Sequence, residues 1–180
     1  AGGQKSILSY NADINTVSHI HRMGGELDPD GYSGDLGIDY SIDGGETFTN
    51  MVEIYVAENN AGGQYFSDAV RYPNHGIYNP AGNTDPANAY VTFAAPALDG
   101  TNDGWGGYAL GTANLGDPTI TTKTLLTSNP SDDIYRYIPD GFTITNSGDV
   151  WIVDVDQDWT SGELVYTGYL LVNHGVWNDA

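Results

Sequence analysis

Ser41-Ile42-Asp43-Gly44-Gly45-Glu46-Thr47-Phe48 joins two short apolar runs, residues 36–41 and 51–57, that read as strands. The eight residues carry the chemistry of a tight hairpin. A carboxylate at Asp43 is suited to accept hydrogen bonds from turn N–H groups, as in an Asx turn. Gly45 can take the positive φ that such a turn needs, and Phe48 is expected to pack under it. The segment therefore reads as a turn stabiliser and not as a catalytic site.

The same grammar runs outward through the whole chain. Helical periodicity is nearly absent. Apolar runs are short, β-branched or aromatic, and broken by Gly, Asn, Asp and Pro. Strands are expected at 16–21, 36–41, 51–57, 89–94, 119–127, 150–155 and 164–172. Residues 24–25, 59–63, 79–83 and 99–104 read as loops.

These strands repeat. Asn11, Asn79 and Asn146 each close a short strand, spaced by 68 and 67 residues. Related lead-ins, Arg71-Tyr72-Pro73 and Arg136-Tyr137-Ile138-Pro139, precede two of them. After each Asn come a second strand (16–21, 89–94, 150–155) and a third (36–41, 108–110, 166–170). The third ends in similar turns: Asp43-Gly44-Gly45, Asn114-Leu115-Gly116 and, more loosely, Asn173-His174-Gly175. A fourth strand follows twice. The expected fold is all-β: a β-propeller segment of four-stranded antiparallel blades, about two and three-quarter of them, at 1–60, 61–130 and 131–180. That number cannot close a ring, so the remaining blades belong to a longer chain or to a partner subunit.

Composition narrows the function. The 180 residues hold 24 acidic against 5 basic side chains, a net charge of −19 that disfavours nucleic acid and anionic lipid as partners. The chain has no cysteine, which excludes disulfides, thiolate metal sites and cysteine nucleophiles. No apolar run approaches the ~18 residues of a membrane helix, so membrane insertion is not expected. The first residues carry neither a signal peptide nor an initiator Met, as expected of a processed or trimmed chain. No phosphate-binding glycine loop, serine nucleophile elbow or basic patch is visible.

The residues Ser41, Asp43, Gly45, Thr47 and Phe48 match the Asp-box pattern at each specified position, and the chain resembles the Asp-box (BNR-repeat) propellers of the sialidase-like superfamily. Arg71 through Tyr78-Asn79-Pro80, with Asn83 to Tyr90, is similar to propeller regions of secreted Bacteroidetes proteins exported by the type IX secretion system. The resemblance implies a secreted or cell-surface location and contact with that secretion machinery. The family's enzymes hold a substrate carboxylate with three arginines, for which bidentate guanidinium pairing is suited. Val70-Arg71-Tyr72-Pro73 resembles the motif that supplies the first of them. Arg22, Arg71 and Arg136 are therefore carboxylate-binding candidates. Recurrence of the motif at the repeat spacing equally fits structural arginines, and no Tyr–Glu nucleophile pair is assignable. No catalytic residue is assigned. The expected function is non-catalytic adhesion or glycan or protein binding. The alternatives are a sialidase-like glycoside hydrolase and a purely structural repeat.

Three further constellations remain open between a site and an ordinary surface. Asp28, Asp30, Asp35 and Asp39 form an acidic loop that could supply oxygens to Ca²⁺, or simply be solvated; it lacks an EF-hand's closing Glu. Asp154, Asp156 and Asp158 alternate along a strand as a weaker cation candidate. His19 and His21 share a strand face, as a ligand pair or as plain surface. Trp105, Trp151, Trp159 and Trp177 suit either sugar stacking or filling the gaps between blades.

Overall fold

Along residues 16–22, Thr16, Ser18 and Ile20 are buried while Val17, His19 and His21 occupy the other, partly exposed face. This two-residue alternation is the burial signature of a sheet packed on one side. The computed structural model describes residues 5–24, 33–58, 68–98, 105–127, 138–158 and 160–177. Asp28, Asp30, Arg136 and Trp159 lie outside the described residues.

Three antiparallel sheets follow one another along the chain. The first contains β1 (Leu8–Asn11), β2 (Thr16–Arg22), β3 (Leu36–Ser41) and β4 (Thr49–Tyr55), paired in chain order. The second contains β5 (Asn74–Tyr78), β6 (Tyr90–Leu98), β7 (Trp105–Asn114) and β8 (Thr121–Thr127), again in chain order. The third has three strands, β9 (Gly141–Ile144), β10 (Asp149–Asp158) and β11 (Val165–Val176). The protein is thus all-β, built of antiparallel sheets of three or four strands. No α-helix occurs among the described residues; one 3₁₀ turn, Pro86–Asn88, is capped by the Asp85 carboxylate accepting from the Ala87 N–H at 3.0 Å.

The second sheet lies between the other two. Eight of the nine residues of β6 are buried, as expected of a strand covered on both faces. Val91, Phe93 and Ala95 join a large apolar cluster with Ile20, Leu36 and Ile38 of sheet 1. Ala94 and Tyr108 meet Ile152 of sheet 3 in a much smaller one. The three first strands lie side by side, with β5 packed between β1 and β9. Asn74, fully buried, ties all three sheets: its Oδ1 accepts from the Ser6 N–H at 2.8 Å, and its Nδ2 donates to the Pro139 carbonyl at 3.1 Å. Lys5 Nζ donates to that same carbonyl at 2.6 Å.

His75 sits in the same seam. Its Nδ1–H donates to the Ser6 carbonyl and its Nε2 accepts from the Ser18 hydroxyl, both at 2.8 Å. That pattern assigns the neutral tautomer. Burial holds its pKa down to about 4.

A repeated contact closes each sheet at one end. Just past the third strand, a backbone N–H donates to the loop between strands one and two. The pairs are Gly44 to Asn15 O at 2.8 Å, Leu115 to Ala89 O at 2.9 Å, and Trp177 to Gly148 O at 2.7 Å. The third of these corrects the sequence alignment of turns. Asn173 does not end its strand; it pairs with Ile152 inside the β10–β11 ladder, which runs on to Val176. The asparagines of the first-strand repeat lie where expected within two residues: Asn11 ends β1, Asn79 follows β5, and Asn146 lies two residues past β9.

Candidate functional site

The hairpin at 41–48 is held by Asp43. Its Oδ1 accepts from the Glu46 and Thr47 N–H groups at 3.0 and 2.9 Å and from the Ser41 hydroxyl at 2.6 Å, and its Oδ2 accepts from the Thr47 hydroxyl. These donors hold the Asp43 carboxyl far below the usual carboxylate range, the Ser41 hydroxyl contributing most. Gly44 and Gly45 both take positive φ, +79° and +97°. Phe48, expected beneath the turn, remains 44% exposed. Asn114 performs a similar task in the second sheet, accepting from the Gly116 and Asp117 N–H groups at 2.9 Å. Every donor around Asp43 belongs to its own turn, so the carboxylate's work here is local.

Arg22 and Arg71, far apart in sequence, are brought to one point. Arg22 Nε donates to the Ser33 carbonyl at 2.5 Å and Arg71 Nη1 to the same oxygen at 3.2 Å. Arg71 also donates to the Val70 carbonyl at 3.0 Å. Beside them Tyr72 meets Trp105 edge-on, with ring centroids 5.8 Å apart.

Asp35 and Asp39 are engaged as backbone anchors. Asp35, buried, accepts from the Ala57 N–H at 2.7 Å. Asp39 accepts from the Met51 N–H at 2.8 Å, where β4 slips register against β3 and Met51 takes φ +58°. His19 and His21 stack at 5.7 Å on the same face and approach the Asp39 carboxylate at 3.7 and 3.4 Å. Asp156 accepts from the Thr167 hydroxyl and Asp158 from the Thr160 N–H. Asp154 instead is buried against sheet 2, accepting from the Val155 N–H and, at 3.3 Å, from the Tyr108 hydroxyl. A register shift between Val155 and Gln157 interrupts the alternation that the sequence implied. Among the described residues no three His, Asp or Glu side chains converge as a metal site.

The cationic residues also mark how the sheets are joined. Lys123 of β8 reaches across to sheet 1. It donates to the Val56 carbonyl at 2.9 Å, lies 3.7 Å from the carboxylates of Asp68 and Glu58, and sits 5.0 Å over the Tyr55 ring.

Between sheets 2 and 3 a cleft of about 420 Å³ opens. Its inner wall is Tyr108 and Ile152. A cross-strand row of threonines, Thr92, Thr112 and Thr122, lines the sheet 2 side. Trp177 stands at one end, packed against Tyr78 and Tyr90 at 4.7 and 4.9 Å. The Thr112 and Thr122 hydroxyls bond each other at 2.8 Å, whereas the Thr92 hydroxyl is buried with no partner. Sequence reasoning missed this cleft. The alternation of Thr92 with Val91 and Phe93 was its only trace, a polar side chain in an otherwise apolar strand.

On the far face of sheet 3, Trp151 stacks on His174 at 4.0 Å, and His174 Nε2 lies 2.9 Å from the Asp149 carboxylate. Leu170, Val172 and Val176 extend this face, each more than half exposed. Comparison with protein-family profiles, curated proteins and solved structures returned no match to this chain.

Proposed function

We infer that the chain is a non-catalytic segment of a β-propeller in a secreted or cell-surface protein, where it serves adhesion through glycan or protein binding. The observation that carries this reading is the stacking of the three sheets in chain order with their first strands side by side. Sheets converging on one seam and spreading outward form wedges, and wedges repeated by one rotation make a ring. The exposed Leu170, Val172 and Val176 of sheet 3, and Leu8 and Tyr10 of sheet 1, are the faces that further blades would cover. Contiguous apolar surface of this kind usually marks an interface. In a ring the loops at one end are free to bind, which fits a scaffold for recognition. Secretion by the type IX route belongs to the same proposal through the resemblance of residues 71–90.

Sedimentation of the 180-residue chain tests the architecture. Self-association is expected, and a monomer at high micromolar concentration that unfolds cooperatively refutes the open stack. Glycan-array and pull-down binding, with the ring completed, tests the function; signals at background overturn it.

The glycoside-hydrolase reading keeps one observation in its favour, the convergence of Arg22 and Arg71. Their shared bond to a backbone carbonyl also fits a structural clamp. Hydrolysis of a fluorogenic sialoside that disappears in Arg71→Lys would decide for the enzyme.

A further inference from the structure

We propose that the cleft between sheets 2 and 3 binds a small neutral molecule with an apolar body and one hydrogen-bonding edge. This goes beyond the propeller reading, because the cleft lies inside the stack and does not depend on ring closure. Four observations converge on it.

The first is size. A cleft of about 420 Å³ falls within the roughly 300–1,000 Å³ of small-molecule sites, and far exceeds the voids that close packing normally leaves. The second is lining. Tyr108, Leu110, Leu126, Val150 and Ile152 make the walls mainly apolar, and the polar residues are Thr92, Thr112, Thr122 and Thr124 on sheet 2 with Asn173 on sheet 3. Such a wall favours an apolar body with polar groups along one edge.

The third is charge. Among the described residues that line the cleft only Tyr108 and His174 are ionisable; the Tyr108 phenol is directed to Asp154, and the His174 ring lies on the far face of sheet 3, stacked on Trp151. An anion would find no fixed cation, in a chain of net charge −19, and a cation would find no carboxylate. A neutral occupant follows.

The fourth is the orphan hydroxyl. Thr92 is 6% exposed, and its Oγ1 has no hydrogen-bond partner. A buried hydroxyl left unpaired is costly, and most such groups in folded proteins are satisfied. Thr92 lines the cleft, so rotation about its Cα–Cβ bond can turn the hydroxyl toward an occupant. A ligand O–H or N–H donated to Oγ1 supplies the missing partner.

The test uses 2-naphthol and naphthalene as probes, identical but for one hydroxyl, with calorimetry and ¹⁵N chemical-shift mapping on the whole chain. Binding of 2-naphthol is expected, with shifts centred on Thr92, Thr112 and Thr122. Thr92→Val should weaken 2-naphthol about five- to tenfold, the range of one hydrogen bond, and leave naphthalene unchanged. It should also raise the melting midpoint without ligand, since an unpaired hydroxyl is removed. Leu110→Trp should fill the cleft and abolish both. Should that variant not fold, Thr124→Phe on the exposed β8 provides the same block. Failure of the wild type to bind 2-naphthol overturns the proposal. So does binding that survives the block, or equal weakening of both probes by Thr92→Val. None of these results bears on self-association or glycan binding, so the two proposals fail separately.

Discussion

Among the described residues, sheet 2 meets sheet 1 through a cluster of sixteen buried apolar residues and meets sheet 3 through a cluster of three. Both contacts use the same strands, β6 and β7, seen from opposite faces. Toward sheet 1, Phe93 lies over Gly111, where a Cβ would stand 2.4 Å from the ring, so strand and side chain interlock. The outer edge there is sealed by Lys123 among Asp68, Glu58 and Tyr55. Toward sheet 3, the adjacent pair of the ladder presents Thr92 and Thr112, and a cleft remains. The lesson is that a period of two lets one strand carry two unrelated interfaces. One interface is closed by close packing, and the other keeps space and hydroxyls.

The largest test of this contrast is truncation on either side of sheet 2. Phe93→Ala should cost about 4 kcal/mol, because its ring is fully buried and meets Tyr55 edge-on at 6.0 Å. Ile152→Ala should cost about 2 kcal/mol, since the adjoining cleft already deprives Ile152 of neighbours on one side. Urea denaturation of the two variants checks the ranking, and equal losses would erase the distinction between the interfaces. Lys123→Met comes next, at about 2 kcal/mol. It removes the cation that stands 3.7 Å from the Asp68 carboxylate, whose side chain is 2% exposed. Its effect should persist in high salt, unlike that of a surface pair.

Asp154 sharpens the comparison through pH. It is buried where sheets 2 and 3 meet, and desolvation pushes its carboxyl up to about 6, with the Asp140 charge adding to the shift. The Tyr108 hydroxyl and Lys5 favour the charged form. Lys5 is itself lowered by burial. A raised folded pKa means that protonated Asp154 contributes stability in full below about 3.8, and that this is lost as pH rises through about 6. Asp154→Asn should therefore stabilise by about 1–2 kcal/mol at pH 7.5 and by little at pH 4. A pH-independent change would remove the carboxyl from the account. The smallest global effect is expected for Asp43→Ala. The melting midpoint should fall slightly, and amide exchange should quicken at Glu46 and Thr47 while Lys123 and Thr92 are unaffected.

Much of the strand order could be read in the sequence because turn chemistry is local. The Asp43 hairpin needs only its own residues, and its hydrogen bonds follow from the spacing of Ser, Asp, Gly and Thr. Strand ends were harder. β6 runs past Pro96 to Leu98, although proline usually argues against a central strand. The reason is tertiary. Pro96 O accepts from the Arg71 N–H, so the absent proline N–H falls on the side where the β5–β6 ladder no longer runs, its outermost pair being Asn74 with Ala94. The Asn173 turn failed in the same way: a degenerate Asn-x-Gly spacing competes poorly with a long ladder against β10. The cleft was illegible because it depends on two faces 60 residues apart, and on how little apolar surface sheet 3 offers in return.

The Asn74–Pro139–Lys5 junction has a consequence in time. Synthesis proceeds at roughly 5–20 residues per second, so the chain around Lys5 emerges on the order of ten seconds before Pro139 does. Over that interval the Lys5 ammonium and the Asn74 amide lack the carbonyl that both will share. The first two sheets must therefore wait with an unfinished seam, held by Ser6 and His75, until the third arrives. Long-range contacts of this kind slow folding. A ribosome-stalled chain ending near residue 127 should show the His75 seam protected from exchange while Lys5 remains freely reactive toward acetylation.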